Sequence, residues 1–164
     1  MKLHLLILGF LMVASTSWAV ENFTIEDDDL SAVPHNAEIV IRQAEAKDND
    51  LQKCEFIGKA VDLDGDGQAM DLIVTIEDAS GWNAALGPIW VLRKSGDSFA
   101  IVLSDGGHSV TIGKARHKGL YDLIISAESA GWSRQSIWKF NGKRYYKSEE
   151  KTKKPTEKGF NRTR

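Results

Sequence analysis

The second half of this chain repeats the first. Gly58-Lys59-Ala60 returns as Gly113-Lys114-Ala115, Asp71-Leu72-Ile73-Val74 as Asp122-Leu123-Ile124-Ile125, Gly81-Trp82 as Gly131-Trp132, and Ile89-Trp90 as Ile137-Trp138. Gly96 and Phe99 then fall opposite Gly142 and Tyr145. Motifs recurring in one order mean two copies of one supersecondary unit, each packing on its neighbour. The units cover 58–103 and 113–147. Two are too few to close a propeller, which needs at least about four blades. The pair must pack as two small sheets capped by an N-terminal helix, or pair with another molecule.

Short apolar, β-branched runs at 73–76, 89–92, 99–103, 110–112, 123–125 and 137–140 read as strands. Turn residues at Ser95-Gly96-Asp97, Asp105-Gly106-Gly107 and Asn141-Gly142 make them antiparallel. Before them Pro34, Ala37, Val40, Ile41 and Ala44 carry helical spacing, ended by Asp48-Asn49-Asp50. The expected fold is mainly β: antiparallel sheets built from two tandem propeller-blade-like units, with one short N-terminal helix, in a single domain over 34–147. Trp82, Trp90, Trp132 and Trp138 hold matched repeat positions and read first as repeated core packing.

The first residues read as a signal peptide over 1–19. Met1-Lys2 gives a positive start, 5–13 an apolar run, and Ser17-Trp18-Ala19 the small residues of a cleavage site after Ala19. The run is shorter than the roughly 20 apolar residues a membrane span needs, and no later segment is apolar enough. The mature chain is expected outside the cytoplasm, in the periplasm of a Gram-negative source or secreted. Its single Cys, Cys54, allows no internal disulfide and no cysteine-rich zinc module.

A net charge of −2 does not suit a dedicated nucleic-acid binder. It hides a local −7 over 20–50 and +7 over 139–164. The acidic N-terminal segment 20–33 and the basic stretch 148–164 read as solvated ends, the latter as a disordered tail. The tail's charge would also steer toward an anionic surface.

The most explicit chemistry is Asp62-Leu63-Asp64-Gly65-Asp66-Gly67-Gln68-Ala69-Met70-Asp71. Carboxylates at alternate positions of a tight glycine-bearing loop suit a hard cation, with Ca²⁺ the natural occupant and the backbone carbonyl near Gln68 a further donor. Asp62, Asp64, Asp66, Gln68 and Asp71 are the candidate ligands. The segment is not an EF-hand, because Ile73 stands where the bidentate Glu belongs. The competing reading is a metal-free turn held by Asp side chains.

Asp62-Leu63-Asp64-Gly65-Asp66-Gly67 leading into Asp71-Leu72-Ile73-Val74 resembles the calcium loop and strand of FG-GAP/VCBS-type repeats. His117-Lys118-Gly119-Leu120-Tyr121-Asp122-Leu123 with Trp138-Lys139-Phe140-Asn141-Gly142-Lys143-Arg144-Tyr145 resembles the degenerate unit of small secreted bacterial proteins of that kind. The resemblance covers 58–146 and implies blade-like units with a structural calcium ion. The loop is one residue longer before Asp71 than the usual pattern, and the second unit has Arg116-His117-Lys118 where carboxylates would be needed. One site at most is expected.

No zinc-ligand spacing, nucleophile elbow or phosphate-cradling loop is present. The expected function is a non-catalytic binding protein of the exported compartment, an inhibitor or immunity factor against a secreted hydrolase. The alternative is a carbohydrate- or surface-binding module using Trp82 or Trp132. Less favoured is a hydrolase using Asp105 and His108, which also stand as partner contacts.

Overall fold

The computed structural model describes residues 22–77, 86–129 and 131–154. Along the chain come β1 (Asn22–Thr24), β2 (Ser31–Ala32), α1 (His35–Ala44), a 3-10 turn (Leu51–Lys53), β3 (Phe56–Val61), β4 (Asp71–Ile76), β5 (Gly87–Ser95), β6 (Ser98–Gly107), β7 (Ser109–His117), β8 (Leu120–Ser129), β9 (Trp132–Phe140) and β10 (Tyr145–Lys153). They form two antiparallel sheets of matching design, β2-β3-β4-β5-β6 and β1-β7-β8-β9-β10. Each is a four-stranded meander with one short strand added at its first edge. The fold is mainly β with one short helix, as the strand and helix patterns require.

The repeat extends to an irregularity in the ladder. Leu103 pairs with Val91 and Ile101 with Leu92, leaving Val102 unpaired, while Glu149 pairs with Ile137 and Lys147 with Trp138, leaving Ser148 unpaired. These bulges sit at equivalent positions. They set a register in which Leu92 corresponds to Trp138 and Trp90 to Ser136. The match of Trp90 with Trp138 is therefore two residues out, although with a side-chain period of two the face is unchanged. Gly58 and Gly113 are not equivalent either. Gly58 pairs with Val74, whereas Gly113 falls in the irregularity between Ile112 and Arg116.

The two units stack head to tail. Leu72 and Val74 of β4 pack on Ala37 and Ile41 of α1, together with Trp90, Leu92 and Phe99. Their counterparts Leu123 and Ile125 of β8 pack instead on the other face of the first sheet, against Ile73, Ile89 and Val91. Phe99 likewise meets the helix while its counterpart Tyr145 meets the first sheet. Equivalent faces thus point the same way, as in successive propeller blades, and α1 stands where a preceding blade would. The last face, with Ile124 and Ile137, belongs to neither core. It carries Gln135 and Glu149 where the first unit has Ile89 and Leu103, the polar conversion expected of a terminal repeat.

Coverage on both sides explains why every residue of β4 is buried. Thr75 is fully buried there and its hydroxyl has no hydrogen-bond partner. An orphaned buried hydroxyl costs about 1–3 kcal/mol, so the isosteric Thr75→Val variant should be more stable by about 1 kcal/mol, measured by urea unfolding.

Arg42 fastens the helix to the 3-10 turn and to the start of β3. Its guanidinium donates to the carbonyls of Gln52 at 2.6 Å and Cys54 at 2.9 Å, pairs with Glu38, and lies 4.9 Å from the Phe56 ring centre. Cys54 is a free, partly exposed thiol.

Three expectations need correction. The acidic segment is not simply solvated, because Phe23 of β1 is buried and pairs with Val110 of β7. The basic stretch from Ser148 is not a tail as far as Lys153, since it completes β10 along β9. Residues 155–164 and the signal segment 1–19 lie outside the described residues. Asp105-Gly106-Gly107 is no turn but the end of β6, after which His108 alone carries the chain across to β7 in the other sheet. A side chain at Gly107 would sit 2.6 Å from Ile125 Cγ2, so glycine permits that close crossing.

Candidate metal centre

The loop 62–70 joins β3 to β4 and is tied down from within. Leu63 is fully buried in the core between the sheets, and its carbonyl accepts the Tyr121 N–H at 2.8 Å, joining the loop to β8. A β3 that ends on an alternation of Asp and an apolar residue drives Leu63 inward and leaves Asp62 and Asp64 at the rim.

Asp62 organises the turn. Its carboxylate accepts the N–H groups of Gly65 at 2.6 Å, Asp66 at 3.2 Å and Gly67 at 2.8 Å. Asp66 accepts the Gln68 N–H at 2.8 Å. Gly65 and Gly67 adopt φ of 66° and 89°, the left-handed region that side-chain-bearing residues avoid. In this conformation one carboxylate oxygen from each of Asp62, Asp64 and Asp66 falls within 4.8 Å of the others. Such a cluster of hard donors can hold a metal ion.

The other candidate ligands are placed differently. Asp71 is not in the cluster. It is buried at the start of β4, where its carboxylate accepts the Lys94 N–H at 2.8 Å and a second backbone hydrogen bond from Leu63. Burial pushes this carboxyl above its usual range and outweighs the Lys94 hydrogen bond, with the Asp64 charge pushing the same way. The folded state therefore holds this proton more tightly than the unfolded chain does, and the stability this contributes is lost as pH rises from the ordinary carboxylate range through the raised value. Gln68 is exposed, its side-chain amide 3.5 Å from Asp66 Oδ2 and its carbonyl bonded to the Met70 N–H.

Trp82 lies outside the described residues. Trp132 is half-buried at the start of β9. Asp105 faces Arg134 across the sheets, with Arg134 Nη2 at 3.8 Å from Asp105 Oδ2 and 2.6 Å from the Gly106 carbonyl. The backbone of His108 bonds to Ser126 and Ile25. No hydrogen bond joins Asp105 and His108 among the described residues.

Two features escaped the sequence reading. His117 Nδ1 lies 2.5 Å from Asp122 Oδ1, a pair in the second unit where the first has its acidic loop. The correspondence of Asp122 with Asp71 was the available signal. Arg116 stacks on Tyr121, 4.6 Å from the ring centre, and a Cβ at Gly65 would come within 3.0 Å of Arg116 Nη2 and 2.7 Å of the Tyr121 hydroxyl. A cation of one unit thus abuts the carboxylate loop of the other.

No family model, no curated protein and no solved structure matches this chain.

Proposed function

We propose that this chain is an exported, non-catalytic binding protein whose loop 62–70 carries one Ca²⁺ ion in a structural role, and whose partner is a secreted hydrolase that it blocks. The observation that carries the metal reading is the convergence of oxygens from Asp62, Asp64 and Asp66 within 4.8 Å on a loop anchored by buried Leu63. Three carboxylates so close repel one another unless a cation neutralises them. Calcium suits them because it takes six to eight oxygens in tolerant geometry, so backbone carbonyls and water can complete its shell. The blade-like stacking of the units supports the FG-GAP/VCBS-type reading.

Extracellular modules bind calcium at about 10⁻⁴ to 10⁻³ M, so about 10 mM Ca²⁺ should stabilise the fold by about 1.4–2.7 kcal/mol. Thermal melts with and without calcium check this, and a melt indifferent to calcium contradicts it. One observation favours the metal-free turn: both oxygens of Asp62 already accept backbone N–H groups. The same melt separates the two readings.

Export is supported by the residue pattern of 1–19, and removal through Ala19 leaves every described strand intact, since β1 begins at Asn22. N-terminal sequencing of protein from the extracytoplasmic fraction should begin at Val20. For the partner, the tagged protein should retain a secreted hydrolase from that fraction at low salt and inhibit it. Recovery of none contradicts the reading.

A further inference from the structure

We propose that the turn end of the second sheet, formed by Arg116, Lys118, Lys143 and Arg144, is the docking surface, and that it takes an acidic face of a protein partner. This rests on the binding-protein reading and deepens it by locating the surface.

The ladder brings these residues together. Arg116 pairs with Tyr121 across β7 and β8, and Phe140 with Tyr145 across β9 and β10. β8 joins β9 through Leu123 and Trp138, so both hairpin turns emerge at one end of the sheet. They are about two strand spacings, roughly 10 Å, apart. At that distance, about a Debye length, exposed cations still repel one another. Among the described residues none of the four has a carboxylate within ion-pairing distance, although neighbouring His117 has Asp122.

The backbone of both turns has a defined geometry. Asn141 Oδ1 accepts the N–H groups of Lys143 at 2.9 Å and Arg144 at 3.0 Å, and the Arg144 carbonyl accepts the Asn141 N–H. Lys118 and Gly119, between paired His117 and Leu120, have φ of 50° and 97°. Asparagine is the favoured residue at the first of these positions, so lysine there is held at a conformational cost. The backbone positions from which these side chains project are thus set before an anionic group docks, which spares part of the ordering cost of binding.

The neighbouring loop decides which anion fits. Asp62, Asp64 and Asp66 lie beyond Arg116, whose guanidinium abuts Gly65. Even with one Ca²⁺ bound the three carboxylates leave that loop net negative, so an extended polyanion, such as a sulfated glycan, would have to run past like charge. A protein face with a local acidic patch would not.

The test is an NMR titration of the ¹⁵N-labelled protein with a blocked ten-residue Glu/Gly peptide and, separately, with a heparin decasaccharide. The peptide should shift amides at 116–120 and 141–145, and the Arg116→Glu/Lys118→Glu variant should weaken it at least tenfold, while Lys153→Glu leaves it unchanged. Lys118→Asn, which relieves the turn, should raise the melting temperature and still weaken the peptide. Shifts elsewhere, or an unchanged affinity in the charge-reversed variant, overturn the proposal, as does tighter binding of heparin at the same amides. Retention of the hydrolase equally by wild type and charge-reversed protein overturns this surface alone. Failure of both to retain it overturns the binding-protein reading, while the peptide titration still decides the surface.

Discussion

Replacing Trp90 with alanine should cost about 3–5 kcal/mol of stability, among the larger effects of any single truncation. Trp90 is almost fully buried between the first sheet and α1, edge-on to Phe56 with ring centres 5.6 Å apart, and its indole N–H donates to Glu45 at 3.1 Å. Its removal opens a cavity that β4, buried on both faces, cannot collapse to fill. Trp138→Ala should cost less, because Trp138 is only partly buried at the margin of the other core. Chemical unfolding of both variants checks this, and equal losses would contradict the placement of the two rings.

Gly58→Ala should destabilise the protein by about 3 kcal/mol, despite the usual gain from replacing glycine with alanine in a strand. A Cβ at Gly58 would lie 2.4 Å from the Ile73 carbonyl oxygen and 3.2 Å from Val74 Cα. Those are backbone atoms of a strand held between two layers, so neither can yield cheaply. Gly106→Ala is the control, since its nearest new contact is an ordinary 3.8 Å to the Gly87 carbonyl. It should be nearly neutral in the same denaturant assay, and equal losses at Gly58 and Gly106 would contradict this packing.

Much of this architecture was legible because apolar period and turn chemistry agreed. Ala37 and Ile41 mark the buried stripe of α1, and the six apolar runs lie in β4 to β9. What stayed hidden depended on partners rather than local pattern. Tyr145 to Lys153 mixes Lys and Glu because it is an edge strand, where such charges block further pairing, and the same composition reads as a solvated tail. Phe23 looked isolated among acidic residues, yet β7 supplies its partner strand. The paired bulges at Val102 and Ser148 share no chemistry, so repeated tryptophans drew the comparison two residues away.

The same limit governed the site. Asp62, Asp64 and Asp66 were readable as a cluster because their spacing within one loop fixes their proximity. Asp71 belonged to the same motif, but its oxygens are spent on Lys94 and Leu63, a use set by where β5 runs. Nor does spacing reveal that Arg116 reaches the loop across the stack of two units.

Titration calorimetry of Ca²⁺ into wild type and Asp64→Ala decides whether loop 62–70 holds the proposed ion. Asp64 is the informative position, since its one loop hydrogen bond is a long 3.3 Å from the Asp66 N–H, whereas Asp62 holds the turn itself. The expected result is one ion per chain, bound at about 10⁻⁴ to 10⁻³ M, and loss of that binding in a variant that remains folded. Absence of calcium heat in the wild type, or the same isotherm in Asp64→Ala, would contradict it.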